Sequence, residues 1–263
     1  MMSDSYLSDL FGLSGTTSVV VGGSGVLGGS VAESLARAGS KVAVLYNHGR
    51  DSAEERVKSI RALGCEAMAV HADACSKGDL EKAREEVAAK WNRIDVLVNA
   101  PGINSPTPLF EIKEEEWNRI LDVNLKGTFL SCQVFGKHMI DEKISGSIIN
   151  FSSVSSEIPL SKVFTYGISK AGINNMTRFL AREWAALGVR VNAVMPGFFP
   201  AEQNRKILTE ERRKAIFGHT PIGRYGEPNE LNGAILWLAS KNASSFVTGT
   251  VIPVDGGFTA MTI

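Results

Sequence analysis

Seven short apolar runs, rich in β-branched residues, alternate along the chain with longer stretches of helical periodicity, and this alternation restricts the fold more than any other feature. The runs "TSVVVGG", "KVAVLY", "CEAMAVHAD", "IDVLVNAPG", "GSIINFSS", "VRVNAVMPG" and "TGTVIPVDGG" read as strands. Helices are expected near 28–38, 52–63, 77–91, 114–140, 165–187 and 227–239. Strands joined by helical crossovers imply an α/β fold: a parallel sheet with helices on both faces. The almost unbroken apolar character of "VVV" and "VAVL" agrees, because a strand covered on both sides has no polar face to show.

A length of 263 residues suits one large α/β domain, and no repeat, low-complexity tract or Pro/Gly linker divides the chain. Lys and Arg number 28 and Asp and Glu 28, a balance that argues against a nucleic-acid partner. No apolar run approaches the roughly 20 residues of a membrane span, and the opening "MMSDSYLSDLFGLSG" lacks the pattern of a secretory signal. The expectation is a soluble cytoplasmic protein with no membrane partner. Cys65, Cys75 and Cys132 show neither C-x-x-C nor zinc-ligand spacing, and His48, His71, His138 and His219 are scattered, so reduced thiols and no metal are expected. After Pro196 an irregular stretch runs to about Pro228. In a doubly wound sheet such an excursion beyond the strand ends reads as a substrate lid, about 197–228, the alternative being a surface insertion without function.

The glycine-rich turn "VVVGGSGVLGG" follows the first strand and opens a helix, the context in which backbone N–H groups and a helix N-terminus receive a pyrophosphate. It has two registers. Gly23, Gly25 and Gly28 fit G-x-G-x-x-G, whereas Gly22 and Gly28 fit a second spacing whose middle glycine is replaced by Val26. Further on, "TYGISK" sets Tyr166 and Lys170 four apart in a helical pattern, so both leave one face. An ammonium about 5 Å from a phenol, at an effective dielectric of about 20, contributes roughly 3 kcal/mol, or about two units of phenol pKa. A tyrosine lowered in this way can exchange a proton with a carbonyl or alcohol near neutral pH. The same pair also occurs as a surface stripe on ordinary helices.

Taken in order, "VVVGGSGVLGG", "HADA", "DVLVNAPG", "LDVNLKGTF", "GSIINFSSVSS", "TYGISKAG", "VRVNAVMPG" and "SSFVTGTVIPVDGGF" resemble the short-chain dehydrogenase/reductase family over nearly the whole chain. The resemblance implies a single Rossmann-type domain over 1–263, a nicotinamide cofactor and a small carbonyl or alcohol substrate. It assigns Tyr166 as acid/base, Lys170 as its partner and holder of the nicotinamide ribose, and Ser153 as donor to the substrate carbonyl, with Ser152 as the second choice. Asn124 matches the asparagine whose distorted helix turn holds a water leading from the lysine to solvent. Around the cofactor the resemblance places Gly22, Gly23, Ser24, Gly25, Val26, Leu27 and Gly28, then Asp73 and Ala74 at the adenine. Asn99, Ala100, Pro101 and Gly102 follow, with Pro196, Gly197 and Phe199 beside the nicotinamide. It favours the second glycine register, in which Gly25 lets the backbone approach the phosphates while Val26 packs toward the fold.

Some positions depart from the family pattern: Ala100 and Pro101 interrupt an Asn-Asn-Ala-Gly stretch, Val21 and Ala201 stand where threonines are usual. Tyr46 ends the second strand where an acidic residue would hold the ribose hydroxyls, with Asn47, His48 and Arg50 close behind. The missing carboxylate and the nearby guanidinium point to NADP over NAD, although Asp51 offers an alternative ribose contact. "GVLGG", "PGFFPAEQNR" and "GHTPIGRYGEP" resemble the D-mannonate oxidoreductase (fructuronate reductase) branch. Gln203, Asn204 and Arg205 would suit the hydroxyls and carboxylate of a sugar acid. His219 either points into the site or caps the lid, and Arg224 reads as structural. The resemblance further implies a homotetramer built through the two long helices and the C-terminal strand. Two other functions stay open: a general carbonyl or 3-oxoacyl reductase, and an inactive cofactor-binding regulator.

Overall fold

The computed structural model describes residues 4–199 and 209–261. Its centre is a seven-stranded, all-parallel sheet in the order β3-β2-β1-β4-β5-β6-β7. The strands are β1 (Thr17–Val21), β2 (Lys41–Tyr46), β3 (Ala67–His71), β4 (Val96–Asn99), β5 (Ser147–Phe151), β6 (Arg190–Pro196) and β7 (Val251–Val254). Every run expected to be a strand is one. Alternate side chains of each strand enter opposite layers. Val19 and Val21 of β1 join a core that includes Leu80, Trp91, Phe135 and Met139, whereas Val20 joins Val31, Leu35, Ile60 and Leu238 on the other face. Both faces are therefore dry, which is why the strands carry no polar alternation.

Helices α2 (Val26–Arg37) and α3 (Arg50–Ala62) cover one face, and α4 (Lys77–Trp91), α6 (Gly127–Asp141) and α7 (Phe164–Trp184) the other. The expected helix over 114–140 is composite: α5 (Glu114–Leu121), one π turn at Asp122–Lys126, then α6. The last turn of 165–187 tightens to a 3-10 form at Ala185–Leu187, and the helix at 227–239 begins as a 3-10 turn, Pro228–Leu231, before α9 (Asn232–Ala239).

Two helices depart from expectation. An N-terminal helix α1 (Asp4–Phe11) ends where Ser240 Oγ and Asn242 Nδ2 donate to the carbonyls of Leu10 (2.6 Å) and Asp9 (2.7 Å), so partners far along the chain hold it. The stretch expected to be irregular from Pro196 to Pro228 contains α8 (Glu210–Gly218), whose N-cap Thr209 accepts from the Arg212 N–H and whose first turn carries Glu210 and Glu211. Cap and acids together stabilise a helix N-terminus. A short α10 (Lys241–Ser244) precedes β7. Among the described residues no helix is long and apolar enough to cross a membrane, and no group of three His, Cys, Asp or Glu side chains could hold a metal.

The strand order reverses between β1 and β4, and their carboxyl ends open the crevice in which α/β sheets bind ligands.

Candidate active site

The glycine turn forms the first wall. Gly22 takes φ +75°, and a Cβ there would lie 2.9 Å from the Ala100 carbonyl oxygen, so the turns after β1 and β4 touch backbone to backbone. A Cβ on Gly28 would run into the Gly22 oxygen, so the turn closes over the start of α2. Gly25 is the N-cap of α2, extended and without a side-chain cap, so the first N–H groups of that helix face the crevice side of the turn without an internal partner. Such a turn suits a pyrophosphate. Val26 is 47% exposed, which corrects the expectation that it packs toward the fold. As the first residue of α2 its side chain points out from the free end of the turn; Val31, one and a half turns on, makes the packing contact.

At the end of β2, Tyr46 is half-buried with its ring edge-on to His71 at 5.5 Å, and Asn47, His48 and Arg50 are exposed. Ser24 Oγ donates to the His48 carbonyl at 3.4 Å, tying this loop to the glycine turn. Arg50 is paired with Glu54 at 2.7 Å on the open surface. Asp73 uses its carboxylate to receive the Cys75 N–H at 2.9 Å, and Ala74 packs against Gly127 at the start of α6. The side chain of Asn99 is turned into the sheet, donating to Asn150 Oδ1 at 2.9 Å and to Cys132 Sγ at 3.3 Å. It is a tie between β4 and β5. Pro196 ends β6, Gly197 lies against Asp255, and Phe199 against Gly226. Gln203, Asn204, Arg205 and Ala201 lie outside the described residues.

The opposite end of the crevice collects the four side chains assigned to proton chemistry. Lys170 is fully buried, and its Nζ donates to the Phe151 carbonyl at the end of β5 at 2.8 Å. Burial with no carboxylate partner pushes its ammonium down to about 7. Nζ stands 5.5 Å from the centre of the Tyr166 ring. Ser153 Oγ receives the Ser155 N–H (3.3 Å) and hydroxyl (3.0 Å) and acts on the Tyr166 phenol, whereas Ser152 turns away toward Ser156 Oγ (3.3 Å) and the Lys170 carbonyl (3.4 Å). The geometry thus separates the two serines in favour of Ser153.

The expected drop in the Tyr166 pKa is not found. Burial raises it, with Ser153 opposing the rise; Lys170 Nζ lies over the ring and donates to the Phe151 carbonyl. At neutral pH the phenol therefore keeps its proton, the form that can donate to a carbonyl oxygen.

Asn124 is completely buried within the π turn. Its Oδ1 receives the Ile103 N–H at 2.8 Å, and its Nδ2 donates to the Ile103 carbonyl at 2.9 Å and to Ser169 Oγ at 3.0 Å. Ser169 in turn donates to the Tyr166 carbonyl at 2.7 Å. Thr128 Oγ1 donates to the Asn124 carbonyl at 2.7 Å, supporting the turn from α6. Ser169 and Thr128 were not singled out from sequence, since neither spacing nor composition marks a serine or threonine that bonds to backbone around another residue. Gly102 lies beside both centres: a Cβ there would be 3.6 Å from Lys170 Nζ and 3.9 Å from Asn124 Oδ1.

His219 is the C-cap residue of α8, exposed, with its ring 5.6 Å from Phe258. Arg224 makes a two-pronged pair with Glu230 at 2.8 and 2.7 Å, a structural role.

The chain as a whole and its fold have counterparts among known proteins. A family model described as enoyl-(acyl carrier protein) reductase, of the short-chain type, matches residues 24–259. The chain is a short-chain dehydrogenase/reductase. It is 40% identical to the uncharacterized oxidoreductase UxuB of Bacillus subtilis (strain 168), covering 94% of this chain and 96% of that one. Among solved structures, a gluconate 5-dehydrogenase from Burkholderia cenocepacia J2315 in complex with NADP and tartrate superposes with a TM-score of 0.91 at 32% identity, over 97% of this chain and 99% of that one. A putative D-mannonate oxidoreductase from Haemophilus influenza with bound NAD gives 0.91 at 31% identity over the same shares. This short-chain dehydrogenase/reductase is accordingly an oxidoreductase enzyme.

Proposed function

We propose that the enzyme interconverts a ketone and a secondary alcohol on a sugar acid, of the fructuronate/mannonate kind, with a nicotinamide cofactor. The observation that carries the reading is the convergence of Ser153, Tyr166, Lys170 and Asn124 at the carboxyl edge of the same sheet whose first strand ends in the glycine-rich turn. The residues present fit the cofactor. Gly25 leaves open space at the turn and the N–H groups that begin α2 suit a pyrophosphate, while the buried Lys170 amine, bonded only to the Phe151 carbonyl, keeps donors for ribose hydroxyls.

When bound, the nicotinamide supplies or accepts hydride. Ser153 orients the substrate oxygen with its hydroxyl, and Tyr166 delivers a proton to that oxygen as negative charge develops there. Lys170 in its protonated form, over the Tyr166 ring, offsets the charge of the phenolate left behind, and Asn124 fixes the loop after β4 against α7, keeping Tyr166 and Lys170 in register. A raised phenol pKa keeps Tyr166 in the donor form, which suits reduction.

The sugar-acid substrate is supported by relatives named for gluconate and mannonate. NADP is favoured over NAD because β2 ends in Tyr46 with no carboxylate to repel a 2′-phosphate, and because the Arg50–Glu54 pair is exposed enough to exchange partners. Assembly as a homotetramer through α5–α6 and α7 is supported by Phe129, Phe164 and Phe179, which those helices leave 44%, 49% and 58% exposed. A second reading, a 3-oxoacyl or general carbonyl reductase, is favoured by 37% identity to a 3-oxoacyl-[acyl-carrier-protein] reductase of Synechocystis sp. over 93% of this chain. The intact quartet weighs against an inactive regulator. The deciding experiment is an initial-rate panel of fructuronate, 5-keto-gluconate and acetoacetyl thioesters, each with NADPH and NADH. Turnover of the keto acids with NADPH is expected; activity on thioesters alone would overturn the sugar-acid reading.

A further inference from the structure

Helix α8 meets the body of the protein through a polar contact that the proton chemistry does not use. Arg212 Nη1 donates to Ser161 Oγ at 2.6 Å. Ser161 belongs to the segment that runs from Ser153 to Tyr166, the two side chains assigned to the reacting oxygen. In that same segment Ile158 and Leu160 pack with Phe198 and Phe258, and the His219 ring at the end of α8 rests on Phe258. Ile158, Leu160, Phe198 and Phe258 thus form an apolar cluster along the segment that leads from Ser153 to Tyr166, and Arg212 bonds to the same segment at Ser161.

The charges at that edge are unequal. Arg213, the next residue on α8, is neutralised by Glu210 at 2.5 Å. Arg212 is ion-paired with no described acid, and neither is Lys162, the neighbour of Ser161, which is exposed in a left-handed conformation at φ 60°. One hydroxyl takes one of the five N–H donors of a guanidinium, and the planar fork that remains matches a carboxylate.

The geometry points to Arg212 as a specificity-determining residue that binds a carboxylate of the substrate, held in place by Ser161. The inference rests on the sugar-acid reading and deepens it, placing acid recognition on α8. It explains why the contact falls on the segment between Ser153 and Tyr166: a carboxylate fixed there sets how far along the substrate the carbonyl meets the phenol.

The test uses D-fructuronate and D-fructose, which differ in a carboxylate replaced by a hydroxymethyl group, with saturating NADPH and the full-length enzyme. Arg212→Met is expected to lower kcat/KM for fructuronate about 10–100-fold, the size of a lost charge-assisted hydrogen bond. The loss should fall in KM, with kcat nearly kept, and the fructuronate-to-fructose ratio should collapse with it. Arg212→Lys should recover part of the ratio, and Ser161→Ala should lose a few-fold by freeing the guanidinium. A circular dichroism melt checks that each variant is folded. Equal losses on both substrates, or a change in kcat at constant KM, would overturn the role of Arg212. If the wild type reduces fructuronate and Arg212→Met keeps the ratio, the inference alone fails. If the wild type reduces no keto acid, the sugar-acid reading fails and takes the inference with it.

Discussion

At the end of the crevice beside β5 and α7, Asn124, Ser153 and Lys170 are buried with Tyr166 half-buried beside them; at the end beside β1 and β2, glycine backbone forms much of the surface and the side chains after β2 stand in solvent. Lys170 and Asn124 are 3% and 0% exposed, whereas Asn47, His48 and Arg50 are open. The first end must hold a proton donor to a fraction of an ångström, which takes packing and hydrogen bonds from β5, α7 and the π turn. The second must receive a long anionic ligand, which takes free N–H groups and space. One end is therefore rich in stored electrostatic cost and the other in unused donors. The two should respond differently to substitution.

The largest effect is expected at the buried end. Tyr166→Phe removes the proton donor and little volume, so turnover should fall by about 10³-fold while cofactor affinity, measured by fluorescence titration, stays within about threefold. A loss shared equally between turnover and cofactor binding would show that the two ends are not separable.

A smaller effect, in stability, follows from the ammonium enclosed there. Lys170 releases its proton near 7 in the folded chain and near the ordinary 10.5 when unfolded. Between those values the unfolded chain binds more protons, so stability rises as pH increases through and beyond about 7, by at most about 1.4 kcal/mol per pH unit. His138 is lowered from 6.5, and Cys75 and Cys132 are raised above 9.0, so none of them titrates strongly between about pH 7 and 8.5. Urea unfolding of Lys170→Met should lack the rise over this window. If the variant keeps the wild-type slope, Lys170 is charged and satisfied in the fold.

The same contrast governs what could be read from the sequence. All seven strands were legible because burial on both faces leaves uninterrupted apolar runs, and the proton-chemistry group was legible because the resemblance carries it at fixed spacing. The π turn at Asp122–Lys126 agrees with the distorted turn implied by that resemblance. Helix α8 was missed although Thr209 with Glu210 and Glu211 is a helix-start signal; the Phe- and Pro-rich residues before it dominated the stretch. Helix α1 depends on Ser240 and Asn242, more than two hundred residues away, which no local pattern reveals. The sign of the Tyr166 shift was misjudged for a related reason. Spacing of four puts Lys170 on the same helix face, but only the three-dimensional structure shows Nζ bound to the Phe151 carbonyl. Nor does sequence show that Asn99, at the end of β4, sends its amide into the core.

The smallest effect probes the open end, at the glycine turn. Gly25 caps α2 in an extended conformation, and a Cβ there would meet only the Gly22 oxygen, at 3.3 Å, so a small side chain fits after a slight adjustment. Gly25→Ser would place a hydroxyl where it can accept the free N–H groups of the first turn, improving the helix cap by a few tenths of a kcal/mol, about what separates serine from glycine there. Those N–H groups are the ones a pyrophosphate needs. The substitution should therefore leave the melting temperature level or slightly higher while weakening NADPH about tenfold, roughly one charge-assisted hydrogen bond. The two measurements move in opposite directions only if the helix end itself is the phosphate site. Should NADPH bind Gly25→Ser as tightly as it binds the wild type, the phosphates lie on other donors, and Gly25 is glycine for the turn alone.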